Sequence, residues 1–105
     1  MEPLDKNNTN QPYQQKYRLI FPNNNGEYVY VMELPPNAIE ILNHNDFLFR
    51  DYYIDEDAIV YHFNGIKYKK LKLDIQYRVK MVDICNRKHM FSINSLINAF
   101  LYKTP

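Results

Sequence analysis

The stretch "AIVYHFNGIKYKKLKL", Ala58 to Leu73, decides how this chain folds. Two runs rich in β-branched and aromatic residues flank Asn64-Gly65, the strongest short-range hairpin signal. Both central positions of a type I′ turn need positive φ, which Asn and Gly tolerate. The stretch therefore reads as an antiparallel hairpin, and the same pattern extends on both sides of it. Upstream, "KYRLIF" and "EYVYVMEL" enclose the turn-forming "PNNNG", so Lys16–Leu34 reads as a second hairpin that Pro35-Pro36 ends. Asn37 is placed to cap a short helical turn through "AIEIL", ending near Asn43. "DFLFRDYYI" fits either a strand or an apolar crossing loop. Asp55-Glu56-Asp57 forms a turn before Ala58. Downstream, Asp74-Ile75-Gln76 returns "YRVKMVDI" beside the lysine-rich strand, and "CNRK" turns into a short strand, "HMFS".

The period then changes. Ile93, Leu96, Ile97, Phe100 and Leu101 recur at helical spacing, with Ser92 as N-cap and Lys103 suited to the C-terminal end. No repeat is evident. The expected architecture is an α+β single domain over residues 16–105, behind a polar tail of residues 1–15. Its twisted antiparallel sheet should have about five or six strands, with the C-terminal helix packed on it. Ile93, Leu96, Ile97, Phe100 and Leu101 should pack against Ile59, Tyr61, Tyr77, Val79 and Met81.

Composition bounds the function. Hydrophobic residues at 46% and aromatics at 15% are too many for a disordered chain. No apolar run reaches the roughly 18 residues of a membrane span, and no leader is evident. The one cysteine, Cys85, makes neither an intrachain disulfide nor a multi-cysteine zinc site, so a reducing intracellular setting is expected.

The net charge of +1 conceals an asymmetry. Through Phe63 there are four Lys/Arg against ten Asp/Glu; from Asn64 onward there are nine against two. Such an imbalance suits either a nucleic-acid partner or pairing of the acidic half with the basic half. In "IKYKKLKL", Ile66 and Tyr68 share one face and Lys67 and Lys69 the other, while Leu71 and Leu73 fall in phase with the lysines. A β-bulge near Lys69-Lys70 would restore one buried face and fan out the cations. Beside it, Tyr77, Val79 and Met81 oppose Arg78 and Lys80. Two neighbouring strands would then present Lys67, Lys70, Lys72, Arg78 and Lys80 on one side, with Arg87-Lys88 in the following turn, and these seven together with Lys69 are the expected nucleic-acid contacts. A ribbon of that kind suits duplex phosphates, since each positioned cation releases counterions. Lysines that only keep a half-exposed sheet soluble are the competing reading. Tyr52, Tyr53, Tyr61 and Tyr68 fit base stacking less well than they fit a half-buried sheet.

An active site is harder to draw. His62 ends a strand, and Asn94 and Asn98 stand four residues apart on the helix, a partial echo of a ββα-metal nuclease without its paired His or Asp. Cys85, with only His89 nearby in sequence, reads as a structural thiol. Asp55-Glu56-Asp57 lacks the alternating ligands and glycine of a calcium loop. Two glycines, Gly26 and Gly65, provide no phosphate-cradling loop. No enzyme, metal or cofactor is expected.

"YYIDEDAIVYHFNGIKYKKLK" and "YRVKMVDICNRKHMFSINSLINAFL" carry a family likeness. Together the span Tyr52–Tyr102 resembles the small β-rich modules that accompany the nuclease motif in HNH homing endonucleases of phages and large DNA viruses. The shared shape is an aromatic strand, a turn, a lysine-rich strand end, "Y-x-V-x-M", an "N-R-K" turn and a short strand leading into an apolar helix. The resemblance implies a DNA-binding accessory module that does not cut. Asn94 stands near the position where many of those proteins carry His. The expected partner is thus nucleic acid, duplex DNA ahead of RNA. The alternative is a viral interaction or structural protein that forms a homodimer or binds a host factor, with no membrane partner in either case.

Overall fold

A computed structural model describes residues 28–102 of the chain. The expectations placed on residues 1–15, on 16–27 of the Lys16–Leu34 hairpin, and on Lys103 lie outside them. Among the described residues, nine short strands precede one helical segment: β1 (Tyr30–Val31), β2 (Ile39–Glu40), β3 (Asn43–His44), β4 (Phe47–Leu48), β5 (Tyr52–Ile54), β6 (Val60–Phe63), β7 (Tyr68–Lys70), β8 (Arg78–Val82) and β9 (Lys88–Ser92). Helix α1 (Ile93–Leu96) continues into a π-helical turn, Ile97–Leu101. β1, β7, β6, β5 and β2 form one five-stranded sheet in that order; β8–β9 and β3–β4 are separate two-stranded ribbons. Every pairing is antiparallel. The α+β class and the largely antiparallel sheet agree with the sequence pattern.

The β6–β7 hairpin forms, pairing Tyr61 with Lys70, His62 with Lys69 and Phe63 with Tyr68. Its turn differs from the expectation. Asn64-Gly65 opens a four-residue loop in which the Asn64 Oδ1 accepts the N–H groups of Ile66 and Lys67, both at 2.9 Å, and only Gly65 takes a positive φ of 99°. That side-chain acceptor holds the loop open where a two-residue turn would have closed it. Consecutive positive φ values occur instead at Asn45 (53°) and Asp46 (69°), which join β3 to β4 as a type I′ turn does.

The helical turn after Asn37 is not formed. Ile39 and Glu40 pair with Ile54 and Tyr53 as an edge strand, and the Ile41 N–H donates to the Tyr52 carbonyl at 2.8 Å. Ile39 and Ile41 alternate inward with the exposed Glu40 and Leu42, so a period of two prevails over a weak helical signal. The ambiguous "DFLFRDYYI" supplies both β4 and β5, with Phe49–Asp51 bending between them.

The bulge expected near Lys69-Lys70 is absent, since the three β6–β7 pairs step evenly and Leu71 continues them through its N–H to the Val60 carbonyl, 2.8 Å. The strand simply outruns the core. Leu71 and Leu73 lie over it, whereas Lys67 and Lys69, in phase with them, project past its margin.

The core gathers Ile41, Phe49, Tyr52, Ile54, Ala58, Val60, Leu73, Val79, Met81, Phe91, Ile93, Leu96 and Ile97. Val79 and Met81 take the places expected of them, and Tyr77 packs at the margin. Ile59 does not join; Val60, one residue on, has the inward phase of Ile54, its cross-strand partner. Tyr61 is buried but points to the opposite face of the sheet from Val60. The Ser92 cap is formed, its Oγ accepting the Ser95 N–H at 3.1 Å. After Leu96 the wider π-helical turn, closed by the Tyr102 N–H on the Ile97 carbonyl at 2.9 Å, rotates later positions off the α-helical stripe. Phe100 and Leu101 are accordingly only half-buried, while Ile93, Leu96 and Ile97 are fully enclosed.

Candidate nucleic-acid interface

The fold divides the eight cations expected to contact nucleic acid. β7 lies between β1 and β6, whereas β8 pairs with β9 in another ribbon, so the lysine-rich strand and "YRVKM" are not neighbours. The Asp74 turn does form: its Oδ1 accepts the Gln76 and Arg78 N–H groups at 2.9 Å, and its N–H donates to the Arg78 carbonyl. The segment before it is drawn into the core by Leu71 and Leu73, leaving β8 to pair with the strand five residues ahead. Lys67, Lys69 and Lys72 therefore belong to one surface, Lys70 to the reverse of the same sheet, and Arg78, Lys80, Arg87 and Lys88 to the β8–β9 ribbon.

On the first surface, β1 and the residues just before it bring two tyrosines, Tyr28 and Tyr30, that are not among those singled out from the sequence. Tyr30 pairs with Lys69, and the Val29 carbonyl accepts the Lys70 N–H at 2.8 Å, so Tyr28 and Tyr30 share the face of Lys67 and Lys69. The Lys67 Nζ sits 4.5 Å from the Tyr30 ring centre; the Lys69 and Lys72 ammoniums sit 4.0 and 4.6 Å from that of Tyr28. These are cation–π distances. Both rings remain open to solvent, 44% for Tyr28 and 42% for Tyr30. The signal that could have found them is "EYVYVM", whose alternating tyrosines share one strand face. The tyrosines singled out from sequence are less accessible: Tyr52 and Tyr61 are buried, and Tyr53 and Tyr68 are half-buried in ring contacts with each other and, for Tyr68, with Phe63.

The second surface is the outer face of the ribbon. Register places Arg78 opposite Ser92, Lys80 opposite Met90 and Lys88 opposite Val82, while Val79, Met81, His89 and Phe91 face inward. Lys80 and Lys88 are exposed. The two arginines are committed elsewhere. The Arg78 Nε donates to Asp74 Oδ2 at 2.9 Å and the Arg87 Nε to Asp83 Oδ2 at 3.2 Å. Lys67, Lys69, Lys70, Lys80 and Lys88 have no carboxylate in ion-pair range among the described residues.

Those arginine pairs expose a repeated device. In "DEDAI", "DIQYR" and "DICNR", an Asp at the first position accepts the N–H groups of the third and fifth residues, and the fourth takes φ of 61–66°. No repeat was evident in the sequence because the three segments share only the aspartate, with an arginine at the fifth position in two of them. Asp83, like Asp55, is buried. Its Oδ2 also meets the His89 Nε2 at 2.7 Å, and His89 in turn lies among Phe47, Phe49 and Phe91. The bond to His89, joined by the Arg87 and Cys85 N–H groups and the Arg87 charge and opposed by burial, holds the Asp83 carboxyl down at about 2. A depressed acid contributes stability above its unfolded value near 3.9 and loses that contribution as pH falls through its folded value. Urea midpoints should therefore drop between about pH 4 and pH 2, and Asp83→Asn, already weakened at neutral pH, should drop less over that window.

The nuclease-like residues do not converge on a described cluster. His62 packs against Tyr52 in a tilted ring contact with centres 4.5 Å apart; burial lowers its pKa, the nearby Asp51 opposes that, and Lys69 reinforces it. Asn94 is half-buried and Asn98 exposed on the helix. Cys85 is exposed in the Asp83 turn, and His89 turns its Nε2 to Asp83. No group of three His, Cys, Asp or Glu able to hold a metal ion occurs among the described residues. No described helix is long and apolar enough to cross a membrane. Comparisons with protein-family models, curated proteins and solved structures give no match.

Proposed function

We propose that this chain is a nucleic-acid-binding protein that contacts duplex phosphates through the outer face of the β8–β9 ribbon. The observation that carries the reading is the register itself: Arg78, Lys80 and Lys88 line the outer face, with Val82, Met90 and Ser92 as their neighbours and no carboxylate in the paired rows. A two-stranded ribbon is narrow enough for a major groove about 12 Å wide. The charge asymmetry of the chain and the resemblance to DNA-binding accessory modules support the same reading. Lysines with no base-reading Asn or Gln between them make the contact sequence-tolerant.

Titration of a random duplex over a range of salt tests this. Log affinity should fall by about 0.9 per log unit of salt for each phosphate neutralised. Lys80→Gln with Lys88→Gln should flatten that slope by about 2 and weaken every duplex alike, while the melting temperature stays within a few degrees, since both side chains are exposed. Arg78 and Arg87 are left in place because they brace their turns. Asp51→Asn, at a left-handed position that Asn accepts, is the acidic control and should bind as the parent does. Duplex affinity unchanged in the double variant, or absent from the parent at low salt, rules the reading out. A salt-sensitive dimer without duplex binding would put self-association of the acidic and basic halves in its place.

A further inference from the structure

The tyrosine–lysine face of β1 and β7 is not absorbed by the ribbon, and its chemistry is different. Tyr28 and Tyr30 lie two residues apart, on either side of Val29, whose carbonyl extends the β1–β7 pairing, so extended-chain geometry spaces their rings by about 6.8 Å. Bases in a duplex strand repeat every 3.4 Å or so and show no free faces to such a pair. Splayed bases of a single strand do, and each can lie on one ring while the backbone runs past the cations. Lys67 and Lys69 already hover 4.5 and 4.0 Å from those rings, and an ammonium at that position can pivot to the adjoining phosphate when a base takes its place. The two residues are among the most exposed tyrosines described, and among the described residues Lys67 and Lys69 have no ion-pair partner.

We infer that Tyr28 and Tyr30, with Lys67, Lys69 and Lys72, form a stacking platform for single-stranded nucleic acid, separate from the duplex-contacting ribbon. This deepens the nucleic-acid reading and rests on it only for the class of ligand. The test is fluorescence anisotropy of the full chain with a labelled oligothymidine of about 12 nucleotides and with an abasic oligomer of the same length. Stacking contributes to the first and not to the second, while phosphates are common to both. The parent should prefer the oligothymidine by about fivefold or more. Tyr28→Leu with Tyr30→Leu should abolish that preference and keep the salt slope, and Tyr28→Phe with Tyr30→Phe should retain it. Equal affinity of the parent for the two oligomers overturns the platform, without recourse to any variant's folding. Duplex binding without that preference leaves the ribbon standing and removes the platform; the preference without duplex binding does the reverse. Binding to none of the three removes both.

Discussion

Leu96→Asp should unfold this protein at ordinary temperatures. Leu96 has no exposed surface and sits with Ile93 and Ile97, both equally enclosed, where the helix meets Val79, Met81, Ile54 and Val60 in one cluster. An aspartate there would bury a charge without a partner, or else force the helix off the sheet and expose the whole cluster. The cost should exceed about 4 kcal/mol, against a total of about 5–15 kcal/mol for a domain of ordinary stability. Leu96→Ala gives a graded companion measurement, with an expected loss of about 2–5 kcal/mol from the missing methyl groups and the cavity they leave. A melting curve for Leu96→Asp that superimposes on the parent's would mean that the helix does not close the core.

Asp55→Ala should be the most damaging polar substitution, and its cost should depend on Tyr61. The Asp55 carboxylate is buried; Oδ1 accepts the Asp57 and Ile59 N–H groups at 2.8 and 3.0 Å, and Oδ2 accepts the buried Tyr61 hydroxyl at 2.7 Å. Burial and then the bond to Asp55 push the Tyr61 phenol far above its usual range, so it remains a donor at any working pH. Removing the carboxylate releases the turn and strands a hydroxyl under the sheet. At about 1–3 kcal/mol per orphaned buried group, with water reaching the turn amides, the loss should be about 3 kcal/mol. Tyr61→Phe alone should cost about 1 kcal/mol. In the Asp55→Ala background the same change should be neutral or favourable, because the stranded hydroxyl goes with it. Denaturant unfolding of the four proteins yields the coupling, expected at about 1–2 kcal/mol; strictly additive losses would show that the bond contributes nothing to the folded state.

Local chemistry made much of the architecture legible. The alternation in "AIVYHF" and "YRVKM" marked strands, and the spacing from Ile93 to Ile97 marked the buried stripe of the helix. Ser92 announced its own cap, because a hydroxyl three residues before a free N–H acts within one turn of chain. The aspartate clamps were half visible: a turn was expected at each, although their common form was not. These features depend on neighbours a few residues away, which the sequence states directly.

Which strands lie side by side does not follow from local chemistry, and there the reading failed. "IKYKKLKL" and "YRVKM" are joined by a sound turn, yet Leu73 enters the core with Leu71 packed against it, and β8 pairs with β9 instead. That one choice separates the ribbon cations from those of β7, where strand alternation already turns Lys70 away from Lys67 and Lys69. It also sets Tyr28 and Tyr30, some forty residues from Lys67 and Lys69 in sequence, directly beneath their ammoniums. Charge count and strand phase were fixed by the residues themselves. The partnership of each lysine, whether with a carboxylate, an aromatic ring or solvent, was decided only by long-range pairing, because the free energy that selects it belongs to the assembled core.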